Sequence, residues 1–116
     1  LGRAKFIFPN SYSIYFHDTP AKSLFDNATR AFSHGCIRLE QPKKLAEFLL
    51  RNDSSWTDEK ITAAMFAGEE KWVKLEHAIP VEITYFTAWV DEEGWLNFRD
   101  DIYGHDRELA SHLFTD

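Results

Sequence analysis

The sequence predicts a mostly β, β-rich α+β domain in which two helices are inserted in the middle of the chain. Segments rich in aromatic and β-branched residues indicate strands near both ends of the chain. Apolar residues at helical spacing occur between these segments and in a short tail. The 116 residues fit one domain with a single modest core.

The N-terminal segments predict a β-hairpin. Residues 3–9 indicate a short strand, and Asn10 begins a turn. Residues 13–17 then alternate, so that Tyr15 and His17 share one face of the second strand. His17 is therefore expected at the exit of this hairpin.

The middle of the chain predicts a loop, a strand and two helices. Residues 18–32 have no clean period and form the loop, and an extended pattern resumes at Ile37 and Leu39. Pro42 suits the first turn of a helix, since its missing N–H is not needed there. Thr57 can cap the second helix, with carboxylates in the following turn.

The C-terminal third predicts more strands and a helical tail. The strands are expected at residues 72–76, 81–90 and 95–99. Residues 91–94 end in glycine and predict a hairpin loop between the last two strands. Residues 106–114 carry leucines at i, i+4 spacing, which indicates a short helix.

Composition excludes several classes of function. The formal net charge of −6 argues against binding of a phosphate backbone, so no nucleic acid is expected as a partner. The sequence contains no apolar run of the roughly 18–20 residues needed to span a bilayer. The single cysteine cannot form an internal disulfide.

That cysteine lies in the most informative run of the sequence, Ser33-His34-Gly35-Cys36-Ile37-Arg38. A thiol needs a positioned base or cation to become a nucleophile at neutral pH. Gly35 permits an unusual backbone conformation and leaves the sulfur accessible, and N–H groups in such a turn can face an oxyanion. By itself, the Gly-Cys pair is more typical of a buried structural cysteine beside a turn than of a nucleophile.

The residues alone leave three roles open. His17 and His34 are both candidates for the base beside Cys36. A metal site at these histidines, the thiol and Asp18 is a weaker alternative, because the spacing matches no common zinc pattern, so no metal is expected. Arg38 could bind a substrate carboxylate or form an ion pair with Glu40.

The run from Ser33 to Leu39, preceded by Ile14-Tyr15-Phe16-His17-Asp18-Thr19, resembles the signature of the L,D-transpeptidase (YkuD) catalytic domain. The tail, from residues 79–81 to residues 101–106, is similar to the C-terminal part of the larger, YcbB-like Gram-negative branch of that family. The resemblance covers nearly the whole chain. It implies a β-sandwich domain of which residues 1–116 are the C-terminal part, with N-terminal strands expected elsewhere in the same protein.

The resemblance also implies roles for individual residues. Cys36 would be the nucleophile and His17 its base, which decides between the two histidines. The N–H of Cys36, with that of Gly35, would form the oxyanion hole. The turn would be buttressed, and the pocket lined, by a further set of side chains: Ser33, His34 and Arg38 for the turn, and Tyr15 for the pocket.

The implied function is cysteine acyl transfer on peptidoglycan peptide stems in the periplasm or cell envelope, without a cofactor. The enzyme would release D-alanine from a tetrapeptide stem and join the acyl group to the third residue of another stem. Carbapenems would acylate the same cysteine. Two alternatives stay open on the residues: a hydrolase with the same thiol chemistry, and a non-catalytic wall-binding module.

Overall fold

A computed structural model describes residues 2–33 and 35–114, which divide into two compact units at residues 79 and 80. The described residues are 28% helix and 12% strand, so this is a small α+β protein in which helix exceeds strand. The strands predicted from the sequence are thus present in part and are shorter than the patterns suggest. Among the described residues, no helix is long and apolar enough to cross a membrane.

The first unit contains a three-stranded sheet in the order β1-β2-β3. The strands are β1 (Lys5–Phe6), β2 (Phe16–Asp18) and β3 (Ile37–Leu39). β1 pairs antiparallel with β2, which confirms the predicted hairpin, and β2 pairs parallel with β3. A 3-10 turn, Lys22–Asp26, lies in the segment predicted as a loop.

Two helices follow the sheet as predicted. α1 (Pro42–Leu49) begins with its proline in the first turn, and α2 (Asp58–Phe66) has Thr57 as its N-cap. The Thr57 hydroxyl accepts the Lys60 N–H at 3.3 Å, which satisfies one of the free donors of a helix start. The helices pack against each other, and Lys43 Nζ lies 2.8 Å from Asp58 Oδ1.

The second unit contains a hairpin and a helix. β4 (Ala88–Val90) and β5 (Leu96–Phe98) pair antiparallel, and α3 (His105–Leu113) follows. Gly94 closes the predicted loop with φ of +86°, a conformation that favours glycine.

The sequence prediction is wrong for two stretches of strand. Residues 72–76 form no strand, and within 81–90 only the last three residues do. A strand needs a neighbour that takes its N–H and C=O groups, whereas side-chain alternation reports only which face is apolar. Trp72 is 73% exposed, and Leu75 is the one partly buried residue of this segment.

Candidate active site

The register of β2 and β3 brings the two predicted catalytic segments together. His17 pairs with Arg38 and Phe16 with Ile37, and the Ile37 N–H donates to the Tyr15 carbonyl at 3.1 Å. Cys36 comes directly before β3 and so lies level with Tyr15. Because paired and alternate residues share a face, Tyr15, His17, Cys36 and Arg38 lie on one face of the sheet.

The Cys36 side chain is partly exposed and lies beside Tyr15. Its sulfur is 3.9 Å from the Ser13 carbonyl oxygen. The charge of the Cys36 thiolate, partial desolvation and a hydrogen bond with Cys36 together raise the pKa of the Tyr15 phenol. Tyr15 therefore stays a neutral hydroxyl that can donate a hydrogen bond towards the sulfur.

The imidazole of His17 is held in one orientation. His17 is buried, and its Nδ1 lies 2.6 Å from the carbonyl oxygen of Asp18. A carbonyl can only accept, so this contact requires the hydrogen on Nδ1 and leaves the lone pair on Nε2. The rings of His17 and Tyr15 are 5.8 Å apart. His17 thus has the tautomer that a general base needs.

Among the described contacts, His17 and Cys36 share no direct hydrogen bond. They are one strand and two residues apart, so strand geometry gives about 8 Å between their Cα atoms. Both side chains project from the same face, with the Tyr15 ring beside them. A catalytic hydrogen bond is often longer in a free enzyme and shortens when substrate binds.

The turn before Cys36 is held by Ser33. The Ser33 hydroxyl donates to the Cys36 carbonyl oxygen, and the Gly35 N–H donates back to Ser33 Oγ at 3.4 Å. Gly35 has φ of +148°, which an L side chain rarely adopts. The Cys36 N–H has no acceptor among the described residues, so it remains available to an oxyanion. His34 lies outside the described residues.

Arg38 points towards the same turn. Its Nη2 lies 3.4 Å from the Phe32 carbonyl oxygen. Within the described part of the chain it forms no ion pair with Glu40, the second role that the sequence left open. Its guanidinium keeps further donors for a ligand at the Cys36 face.

Lys5 is a candidate that sequence reasoning missed. It is the register partner of His17 on β1, and its Nζ lies 4.0 Å from the centroid of the Tyr15 ring. Lys5 and Arg38 therefore flank His17 from the two neighbouring strands. The alternation of residues 3–9 contained the signal, but only the register of the hairpin assigns Lys5 to the catalytic face.

Asp18 is the second residue that was underestimated. The sequence suggested it only as a weak metal ligand, but its side chain lies on the face opposite His17 and Cys36. Its carboxylate oxygens accept hydrogen bonds from the N–H groups of Arg3 and Thr19 and from Lys22 Nζ. Asp18 thus belongs to the support of the site.

Comparison with known proteins shows the family to which the chain belongs. The YkuD family, described as the L,D-transpeptidase catalytic domain, matches residues 1–83. The chain belongs to the YkuD family. A Haemophilus influenzae protein named as an L,D-transpeptidase is 37% identical to this YkuD domain over 109 residues. These residues are 94% of the chain and 22% of the Haemophilus protein, so the chain spans about a fifth of that relative's length.

Proposed function

We propose that this YkuD domain performs cysteine acyl transfer on peptidoglycan peptide stems, as an L,D-transpeptidase that releases D-alanine. The observation that carries the proposal is the shared face of β2 and β3. On this face Cys36 lies level with Tyr15, and His17 is oriented with its Nε2 lone pair available. A nucleophile, a base and a group that orients the base are the parts this chemistry needs.

In the first half-reaction the Cys36 sulfur attacks the carbonyl carbon after the third residue of a tetrapeptide stem. His17 Nε2 takes the thiol proton, and the carbonyl oxygen becomes an oxyanion that accepts from the Cys36 N–H. The carbon–nitrogen bond then breaks, and the imidazolium gives its proton to the departing amine. D-Alanine leaves, and a thioester to Cys36 remains.

In the second half-reaction the side-chain amine of another stem's third residue attacks the thioester. His17 takes a proton from this amine, an amide bond forms, and the carbon–sulfur bond breaks. The imidazolium returns its proton to the departing sulfur, which restores the thiol and the neutral base. The proton balance closes, and no cofactor takes part.

The remaining predicted site residues have supporting roles in this proposal. Ser33 holds the turn through its bond to the Cys36 carbonyl, and His34 would buttress the same turn. Gly35 supplies the backbone conformation that exposes the sulfur. Its N–H donates to Ser33 Oγ, so the expected part of Gly35 in the oxyanion hole is not kept and the Cys36 N–H alone would fill that role. Tyr15 would line the pocket, and Arg38 would bind a carboxylate of the stem.

We also propose that the chain belongs to the YcbB-like branch and acts in the periplasm or cell envelope. The match to the Haemophilus protein spans 109 residues and so extends past residue 83, into the tail on which the resemblance to this branch depends. The short strands of the first unit would form part of the larger β-sandwich of this branch.

The proposal is tested by mass spectrometry of the full-length protein after treatment with a carbapenem. We expect one covalent adduct, located on Cys36, and none in Cys36→Ala. His17→Gln should slow acylation by a factor on the order of 10²–10⁴, since general base catalysis contributes that much. His77→Gln, at an exposed histidine outside the site, should acylate like the wild type. Lack of an adduct in the wild type would refute acyl transfer at Cys36.

Transfer and hydrolysis differ only in the acceptor. The full-length protein is therefore incubated with a tetrapeptide-stem muropeptide, with and without an acceptor stem, and the products are separated by chromatography. A cross-linked dimer with release of D-alanine supports the transpeptidase. Release of D-alanine without a dimer would instead establish the hydrolase, and no turnover at all would leave a wall-binding module.

A further inference from the structure

The Asp18 carboxylate is a buried charge that the acyl-transfer steps do not use. Asp18 is 7% exposed, and its side chain lies on the face of β2 opposite Cys36. A buried carboxylate is costly unless donors surround it. The donors around this carboxylate therefore decide whether it can stay charged at the end of β2.

Three donors from different segments converge on this carboxylate. The Arg3 N–H lies 2.8 Å from Oδ2, and the Thr19 N–H and Lys22 Nζ lie 2.8 and 2.7 Å from Oδ1. Lys22 Nζ also donates to the Leu39 carbonyl at 3.0 Å. The carboxylate thus ties the segment before β1 and the 3-10 turn to the end of β2, and through Lys22 to the end of β3.

Burial alone would raise the pKa of Asp18, but the Arg3 N–H, Lys22 and the Thr19 N–H outweigh it and lower this pKa. The group is therefore ionised at neutral pH, where it accepts all three bonds. Hydrogen bonds to a charged acceptor are about twice as strong as neutral ones. The support is accordingly rigid under the conditions in which the site would work.

The main chain of Asp18 connects this support to the base. The Asp18 C=O and the Thr19 N–H belong to one planar peptide unit. When Oδ1 holds the Thr19 N–H, it helps to fix the plane and with it the direction of the Asp18 carbonyl, which also accepts the Gly2 N–H at 3.2 Å. That carbonyl accepts His17 Nδ1 at 2.6 Å. An ionised side chain on one face of β2 thereby sets the orientation of the imidazole on the other.

We propose that the Asp18 carboxylate, together with Lys22, is a positioning residue that fixes the 18–19 peptide plane and so selects the His17 tautomer with its lone pair on Nε2. The inference rests on the proposed acyl transfer and names a further residue for it. Asp18 does not touch the substrate and acts only through His17.

The test compares Asp18→Asn with wild type in the full-length protein, by the rate of carbapenem acylation at Cys36. The side-chain amide keeps the shape, but its single oxygen can face only one set of donors, so its NH₂ group opposes either the Arg3 N–H or the Thr19 N–H with Lys22. We expect the limiting acylation rate to fall about 10–100-fold, as for other residues that orient a functional imidazole. The carbapenem concentration for half-maximal rate should change little, because no contact with the ligand is lost.

A second readout separates positioning from mere stability. Histidine ¹⁵N NMR in a Cys36→Ala background reports the neutral tautomer directly, and Asp18→Asn should reduce the fraction with hydrogen on Nδ1. The pH profile of acylation should also change shape, because a smaller fraction of His17 is oriented to remove the thiol proton. The charged and titratable groups on the face of His17 are Lys5, Arg38, Tyr15 and Cys36, and Asp18→Asn changes none of them; Cys36 is replaced only in the NMR background.

Two further variants complete the design. Asp101→Asn is the matched control, since Asp101 also accepts a side-chain hydroxyl and two backbone N–H groups but lies in the second unit. It should acylate like the wild type. Lys22→Met removes one donor at a 43% exposed side chain and should slow acylation several-fold. If Asp18→Asn does not fold, Lys22→Met tests the positioning role in its place.

The outcomes are distinguishable. The positioning role is overturned if the wild type acylates and Asp18→Asn, or a folded Lys22→Met, has the same rate, pH profile and His17 tautomer. The proposed function would then still stand. Wild type that does not acylate overturns the proposed function. The NMR tautomer then still decides whether Asp18 orients His17: a shifted tautomer in Asp18→Asn supports it, and an unshifted one overturns it.

Discussion

Replacing Gly2 by alanine should disrupt the support of His17, the proposed base. A Cβ at Gly2 would lie 2.3 Å from Asp18 Oδ2 and 2.5 Å from Asp18 Cγ, far inside van der Waals contact. Asp18 cannot swing away freely, because its carboxylate is held by three donors. Either the carboxylate or the segment before β1 must therefore move.

The cost follows from the bonds that either movement breaks. The Arg3 N–H donates to Oδ2 at 2.8 Å, and the Gly2 N–H donates to the Asp18 carbonyl at 3.2 Å. Loss of a hydrogen bond to a charged group costs about 1.5–3 kcal/mol and loss of a neutral one about 1 kcal/mol. Gly2 is exposed, so water replaces part of both bonds and a net loss of about 2 kcal/mol is expected. That corresponds to roughly 30-fold in the local opening equilibrium.

The assay is hydrogen–deuterium exchange of the full-length protein, followed in peptides that cover residues 2–6 and 16–22. Exchange there should accelerate about 30-fold in Gly2→Ala, and acylation at Cys36 should slow about tenfold. Gly68→Ala is the control: a Cβ there meets nothing within 4 Å, although φ of +73° strains the end of α2. Wild-type exchange around Asp18 in Gly2→Ala would refute the steric reasoning.

Three further predictions concern the pKa of Asp18, the contact between Cys36 and Tyr15, and the N-cap of α2. The pKa of Asp18 is lowered on folding, so the ionised carboxylate stabilises the fold fully above the unfolded pKa near 3.9, and this stabilisation is lost as pH falls through the folded pKa. The difference in thermal midpoint between wild type and Asp18→Asn should therefore narrow below about pH 4. A difference that stays constant with pH would contradict the lowered pKa. The Cys36 thiolate is the first cause of the raised pKa of Tyr15, so in Cys36→Ala the Tyr15 phenol should deprotonate at a lower pH in a ¹³C-tyrosine NMR titration; an unmoved titration would argue against their contact. Thr57→Ala should destabilise α2 by about 1 kcal/mol, measured as faster amide exchange in its first turn and compared with Thr62→Ala inside the helix.

The helices could be predicted from the sequence because their signals are local. The helix starts can be identified without the rest of the chain. Pro42 suits a first turn, and Thr57 lies three residues before the N–H that it caps. The strands are different. Their side-chain alternation was visible, but the paired residues of β1 and β2 are separated by a turn, and residues 72–76 show alternation without any partner. Strand length depends on pairing, which a local pattern does not contain.

The residues of the candidate site also separate into those that a local pattern predicts and those that only strand pairing reveals. Period-two alternation placed Tyr15 and His17 on one face, and the resemblance to the family connected them to Cys36. Lys5 was missed because only the hairpin register assigns it to that face. Asp18 was misjudged because its carboxylate acts through the Arg3 N–H, 15 residues away in the chain, and through a peptide plane, neither of which a residue type reveals.

The distribution of burial explains why the support of the site matters for both stability and chemistry. Among the described residues, the buried apolar side chains are those of Ile61, at 5% exposure, and Pro42, whereas His17, Asp18 and Thr19 are buried consecutively at 9%, 7% and 6%. Polar groups at such depth stabilise a fold only when their hydrogen bonds are complete, and no buried side-chain polar atom in the described part of the chain lacks a partner. The best-buried segment of the first unit is therefore the end of the catalytic strand. A substitution there alters folding and the orientation of His17 together, so an activity loss assigns a role only when the tautomer of the folded protein is measured beside it.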